Sequence, residues 1–514
     1  MSTRVVHLLI PAVLGCCWLV VVLRHLPLPY PSDQLNYLNA GAAFPHGFPR
    51  PGSMHQVTRF GLVVPVRLAV GVFGYSEAAY HLVPILGTLT VLAGTYALGT
   101  LLFSPAVGAA AGAVVVTATP MFQDAAALLP DVPATGLFTV AAALTIAVRR
   151  GRWAGRRWPL LLIGALLGWS YLIREYIVFA LPLIPALLVV RRDRTAALRR
   201  IGWAAAPMLV CAGVELALCQ ALYGDPLTRV HAILTQQPSP FPAYPGQPRA
   251  VYLAQLPLTL DHDAGGFWLT ALLAVALLGA LVWPRRLAVP LAWCALIWVP
   301  LTLAGGLLSP GHPTLRLSLV RYWFPLFPPL AVAGLGVLWL TAQALTARLR
   351  AVRLAAPALV LAVAAASAAT TIAAAGRDPV IGADNGRTQM AALRSWMGRR
   401  HGARVLWADA RSGGAAEVYR NGTFGGRRWP EPVRPITAYG PRPRPGDLVL
   451  FFDADRGRIC GVCRRAERRL WGRPPRPGRA WRPVFATGDD VVRVYQVPAA
   501  VTPPRPRGAR AARS

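Results

Sequence analysis

The chain has 514 residues, 55% of them hydrophobic and only 14% charged, against roughly 25% charged in ordinary soluble domains. A soluble enzyme is excluded, and a polytopic membrane protein is indicated. The formal net charge of +32 is carried entirely by arginine, since the 53 basic residues include no Lys. Arginine clustered in short loops between apolar runs is the signature of cytoplasmic loops, not of a nucleic-acid-binding face.

Arg4 precedes an apolar run from Val5 to Leu23 that no small-x-small cleavage site follows, so it reads as an uncleaved first helix with the N-terminus inside. Further spans are predicted at 77–102, 105–121, 131–148, 159–173, 176–190, 201–222, 267–283, 287–307, 322–345 and 354–375. With about eleven crossings of ~20 residues each, the arginine clusters at 149–157, 191–200, 285–286 and 348–353 all fall on the cytoplasmic side. An odd number of spans leaves residues 376–514 outside. The expected fold is therefore an all-α polytopic membrane protein, with a transmembrane domain over 1–375. A small α/β extracytoplasmic domain follows over 376–502, and a disordered Pro/Arg tail over 503–514.

Residues 159–190 must cross and return with ~16 residues per pass, short of a full span. Arg174 and Glu175 mark their turn, where charge is costly unless a cavity or thinned region receives it. The long outer loops, 24–60 and 223–266, are elaborated with Pro, Gly and His, and 60–74 reads as an amphipathic helix along the interface. In the C-terminal region a helix is predicted from Asp384 to Arg400. Strands are predicted at Val405–Ala408, Asp447–Phe452 and Val491–Val497. Of seven Cys, five lie in apolar spans. Cys460 and Cys463 form a CxxC that suits a local disulfide better than a zinc site, which needs four ligands.

Parity places Asp33, Asp124, Asp131, Arg174, Glu175, Asp261, His262, Asp263, His312, Arg316 and Arg321 on the outer face. Carboxylates there suit proton abstraction or metal binding, and arginines suit an anionic group. Asp33, just beyond the first span, is either a base for an acceptor hydroxyl or an N-cap. Asp131, in Leu129-Pro-Asp131-Val-Pro133, has the pattern of a helix start. The Asp261-His262-Asp263 triplet has metal-compatible ligands but reads as solvated loop. Glu215, deep in a span, is expected to pair within the bundle.

Four stretches resemble the GT-C glycosyltransferases, in particular the dolichyl-phosphate-mannose protein mannosyltransferases and the lipid A aminoarabinose transferases. They are Asp33-Gln-Leu-Asn-Tyr37, Leu129 to Phe138, Gly168-Trp-Ser-Tyr-Leu-Ile-Arg174-Glu-Tyr176, and Arg321-Tyr-Trp-Phe-Pro-Leu-Phe-Pro-Pro329. The resemblance implies transfer of a sugar from a polyprenyl-phosphate carrier at the outer membrane surface. Asp33 then maps to the acidic residue of the first loop, which serves as base or as the acceptor-orienting group. Arg174, Arg321, Asp131 and Asp124 form the set expected at the substrate and carrier phosphate. A phosphate leaving group needs its charge met, which the guanidinium fork does well.

Many relatives carry Asp-Glu where this chain has Asp33-Gln34. A divalent metal occurs in some relatives, and this sequence assigns it no ligands. The acceptor is a protein, lipid or polysaccharide. Competing readings are a transporter or flippase of a lipid-linked precursor, without a visible internal repeat, and a non-catalytic envelope scaffold.

Overall fold

The computed structural model describes residues 3–29, 31–46, 55–189, 193–235, 247–262, 267–311, 315, 317, 319–346, 354–377, 387–399, 404–425, 429–436, 441–453 and 480–498. Cys460, Cys463, Asp263, His312, Arg316 and the 503–514 tail lie outside them. So do the side chains of Asp261 and His262. The chain divides into two compact units. One comprises Met1–Pro27, Asn36–Val72 and Ala79–Ile381; the other comprises Leu28–Leu35, Phe73–Ala78 and Gly382–Ser514.

The first unit is helical. Its helices are α1 (Thr3–Arg24), α2 (Asp33–Ala43, whose first residues belong to the second unit), α3 (Phe60–Phe73), α4 (Glu77–Leu102, whose Glu77 and Ala78 belong to the second unit), α5 (Pro105–Thr117) and α6 (Thr119–Asp124). Then come α7 (Asp131–Arg149), α8 (Trp158–Ile173), α9 (Leu183–Leu188), α10 (Arg194–Tyr223) and α11 (Thr228–Thr235). The series ends with α12 (Arg249–Leu253), α13 (Gln255–His262), α14 (Phe267–Val282), α15 (Pro284–Thr302), α16 (Phe327–Thr346) and α17 (Ala355–Arg377). Each predicted span is met by an apolar helical stretch. Among the described residues, seven helices are long and apolar enough to cross a membrane. The stretches at 105–117, 158–173, 175–188 and 267–282 are apolar but shorter.

Local chemistry sets several boundaries. Ser104 accepts from Val107 N ahead of Pro105, capping α5. Asp193 accepts from Ala196 N at 2.8 Å, capping α10, and Gly224 ends that helix with φ +75°. The second arm of the predicted 159–190 hairpin is not a continuous helix. Arg174 is extended, Glu175–Ala180 is a 3₁₀ helix, and only Leu183–Leu188 is α-helical. Two prolines, Pro182 and Pro185, sit where an unbroken ladder would need backbone N–H groups.

Helix α8 packs along both α7 and α10. Gly164 and Gly168 make the α10 approach possible, because a Cβ on either would collide with Ala204 or Cys211. The pairing of 164 with 204 and 168 with 211 means that α8 and α10 run parallel. At the other end of α8, a Cβ on Gly61 would lie 2.7 Å from the backbone N of Ile173. That close approach brings the start of α3 against the residue before Arg174, and Trp169 Nε1 donates to Gly61 O at 3.0 Å to hold it.

In the second unit, α18 (Arg387–Arg399) and α19 (Ala410–Asn421) pack on a five-stranded sheet. Its strands are β1 (Leu406–Ala408), β2 (Val433–Pro435), β3 (Leu448–Phe452), β4 (Arg482–Ala486) and β5 (Val492–Gln496), in the order β2-β1-β3-β5-β4. β1 is parallel to β2 and β3, and β5 is antiparallel to β3 and β4, with Leu450 opposite Val494. Arg394 closes this unit by a bidentate pair with Glu77, reaching Oε2 from Nη2 at 2.7 Å. The hydrogen bond to Glu77 holds its guanidinium above the usual arginine range against the opposing effect of burial. Asn421 Nδ2 donates to Tyr75 O at 2.9 Å, and the Tyr419 hydroxyl donates to Pro29 O.

Candidate functional site

The turn after α8 gathers the buried charge of the first unit. Arg174 Nε lies 3.0 Å from Asp131 Oδ1, with the two side chains only 5% and 1% exposed. Asp131 opens α7, but its carboxylate is turned to Arg174 and to the Tyr176 hydroxyl, which donates to Oδ1 at 3.0 Å. Pro130, not Asp131, occupies the cap position of α7. The second oxygen, Oδ2, has no hydrogen bond among the described residues. The Arg174 guanidinium also sits 4.9 Å from the Tyr176 ring and 5.1 Å from the Tyr322 ring, a cation held by two aromatic faces.

Glu175 extends the cluster. Its Oε1 is 3.1 Å from Arg59 Nη2 and 3.7 Å from Arg174 Nη1, and its Oε2 is 3.1 Å from Arg229 Nη2. Arg59 also donates to the Tyr37 hydroxyl. Arg229 pairs with Glu215, donates to Tyr171 O at 2.9 Å and lies 4.9 Å from the Tyr171 ring. Three guanidinium groups thus meet three carboxylates in one network from α2, the turn before α3, α7, the α8 turn, α10 and α11. Glu175, at 28%, is its most exposed member. Beside Arg229, in the turn before α11, Asp225 accepts from His231 Nδ1 at 2.7 Å, and that bond holds its carboxyl below the usual carboxylate range.

Charges this far from water persist only when each is matched, because leaving one alone costs several kcal/mol, about 3–5 on removal of a partner. A matched network of this kind can exchange partners. An incoming phosphate can take guanidinium donors from Glu175 while the carboxylates keep the remainder balanced.

Of the residues expected at the carrier phosphate, Arg174 and Asp131 are brought into direct contact. Arg321 adjoins them through its backbone, whose carbonyl lies 3.3 Å from the Tyr176 hydroxyl. Asp124 ends α6, a helix packed against the Val320–Leu326 3₁₀ segment that carries Arg321. Asp33 is exposed as the first residue of α2 and belongs to the second unit. Glu215 pairs within the bundle, as expected. The sequence alone does not single out Arg59, Arg229, Tyr37 or Tyr322, and it gives Glu175 no role of its own. Arg59 carries one signal, a charge set immediately before the apolar run at 60–73.

Among the described residues no three His, Cys, Asp or Glu side chains gather as a metal site. The carboxylates that do gather, Asp131, Glu175 and Glu215, are each paired with a guanidinium.

Residues 65–216 match the family model of dolichyl-phosphate-mannose-protein mannosyltransferases. The structure is similar to that of ArnT from Cupriavidus metallidurans bound to undecaprenyl phosphate, with a TM-score of 0.60 at 14% identity, covering 98% of this chain and 100% of that one. The apo structure of the same protein gives a TM-score of 0.56 at 14% identity, covering 95% and 97%. The chain has the GT-C glycosyltransferase fold. No curated protein sequence matches it. The GT-C match runs nearly end to end, so it takes in the C-terminal α/β region as well as the helical bundle.

Proposed function

We propose that the chain is a membrane glycosyltransferase that moves a sugar from a polyprenyl-phosphate carrier to an acceptor hydroxyl on the outer face of the membrane. The observation that carries this is the buried guanidinium network of Arg59, Arg174 and Arg229 around Glu175. In this reading the acceptor oxygen attacks the anomeric carbon, the carbon–oxygen bond to the carrier phosphate breaks, and the configuration inverts. The leaving phosphate keeps the electron pair, and arginine donors meet its charge. Asp33 takes the acceptor proton or orients the acceptor. Arg321 is a second donor to the carrier phosphate, and Asp131, which holds Arg174, belongs with Asp124 to the same site.

The family-model match and the GT-C fold support this reading, as does the position of Asp33 at the opening of the helix after the first span. Arginine loops on one side support a cytoplasmic N-terminus and an extracytoplasmic C-terminal domain. The acceptor is a protein, lipid or polysaccharide.

The test is sugar transfer in membranes containing the wild type or Asp33→Asn, with a panel of labelled polyprenyl-phosphate sugars. Transfer by the wild type alone is expected and names the donor. Equal transfer by both removes Asp33 from the chemistry. No transfer from any donor, with both proteins folded and inserted, counts against the enzyme.

A further inference from the structure

The opposite end of α8 carries a second concentration of arginine, and it is built differently. Residues 149–158 read Arg-Arg-Gly-Arg-Trp-Ala-Gly-Arg-Arg-Trp, five arginines without an acidic residue, and all ten are exposed. The turn has a defined course. Arg152 N donates to Ala147 O at 3.1 Å and Arg156 N to Trp153 O at 3.0 Å. Gly151 and Gly155 supply positive φ on either side of Trp153. Arg157 lies 4.7 Å from the ring of Trp203, so the turn is joined to the first turns of α10. Because α8 and α10 run parallel, Arg194, Arg199 and Arg200 are at this same end. The single acid of residues 191–200 is Asp193, whose Oδ1 is occupied in capping α10.

We infer that the 149–158 turn and the first turns of α10 bind the phosphate-bearing headgroup of an anionic phospholipid. Charge alone would suit any soluble phosphate, but the neighbouring side chains suit an amphiphile. Trp153 and Trp158 meet edge to face at 5.3 Å while staying 37% and 44% exposed. Tryptophan so placed is characteristic of the headgroup level of a bilayer. Directly beyond the arginines, Leu161 and Leu162 on α8 and Leu198 on α10 are exposed, an apolar surface continuous with the basic one. A headgroup phosphate accepts paired bonds from the guanidinium forks while its acyl chains lie along those leucines.

The test uses the full chain, purified in neutral detergent and stripped of lipid, with bound lipid counted by native mass spectrometry during titration. Phosphatidylglycerol is expected to bind the wild type more tightly than phosphatidylcholine. Arg152→Gln with Arg156→Gln should weaken phosphatidylglycerol about thirtyfold, the effect of removing two interfacial arginines. Arg285→Gln with Arg286→Gln, an exposed basic pair at the start of α15, should leave it unchanged. Equal losses in the two double variants, or equal binding of the two lipids by the wild type, would overturn the site. Glycerol phosphate is expected not to displace the lipid. Complete displacement at matched concentration would assign the turn to a soluble phosphate and overturn the lipid.

Discussion

The two ends of α8 use arginine in opposite ways. At the C-terminal end Arg174 is 5% exposed and held by Asp131, Glu175 and two tyrosine rings, and the neighbouring Arg59 and Arg229 are likewise tied to carboxylates. At the N-terminal end five arginines stand in water or headgroups with no acid among them. A buried guanidinium is part of the structure and costs stability when its partner is lost. An exposed one is free for a partner outside the protein. The number of arginines at a membrane surface therefore says little until their burial and partners are known.

The largest effect is expected from Arg174→Ala. It leaves Asp131 buried without its cation, and a loss of about 3–5 kcal/mol is expected. Thermal unfolding in detergent should show a large drop. The double variant Arg174→Ala with Asp131→Ala should regain much of that stability, because neither charge remains to be orphaned. Transfer activity should not return with it if Arg174 also serves the carrier phosphate. Recovery of both would confine the pair to a structural role.

Arg59 tests the same end from the opposite side. Arg59→Ala removes a donor shared between Tyr37 and the most exposed carboxylate of the network. Sugar transfer at saturating donor is expected to fall roughly 10²-fold or more, the usual cost of losing one donor to developing charge. Its effect on unfolding should be smaller than that of Arg174→Ala, because Glu175 keeps Arg174 and Arg229. Wild-type turnover in a stable Arg59→Ala protein would take Arg59 out of the site.

Much of this arrangement is legible in the amino-acid sequence. The spans are visible because a bilayer demands long apolar runs, and Asp131, Arg174 and Arg321 stand out as charges at the ends of such runs. Arg59 and Arg229 do not, since their partner Glu175 lies 116 and 54 residues away from them, and pairing across that distance leaves no local pattern. The hairpin after α8 is legible in length but not in form, because its prolines convert the second arm to 3₁₀ and a short α-helix. In the C-terminal region the three predicted strands are those rich in β-branched, aromatic and other apolar residues and free of proline. The two that the pattern hides, β2 and β4, each contain a proline, Pro435 and Pro483, and both lie at sheet edges where a missing N–H is tolerated. Helix α19 is masked by Gly413 and Gly414 within it.

An intermediate case lies in the second unit, where Arg394 is 36% exposed and its partner Glu77 only 6%. Glu77→Gln keeps the shape but removes the charge that Arg394 and the Thr423 hydroxyl share. A loss of about 1.5–3 kcal/mol is expected, the range for hydrogen bonds to a charged group. Limited proteolysis of the C-terminal unit should show it as faster cleavage. Cleavage at the wild-type rate would place this pair with the exposed arginines.

The smallest effect belongs to the exposed turn. In lipid-free detergent, Arg152→Gln with Arg156→Gln should change unfolding by no more than ~0.5 kcal/mol, as expected for surface positions without buried partners. The physical reason is that water already solvates these guanidinium groups in the folded protein, so their removal orphans no carboxylate. Removing like charges spaced along one turn also relieves repulsion, which makes a slight gain as admissible as a slight loss. The comparison between the ends of α8 predicts this near-silence as firmly as it predicts the collapse of Arg174→Ala. A melting temperature lowered as far by the double glutamine variant as by Arg174→Ala would mean that the basic turn is held by buried pairing after all, and the contrast would fail.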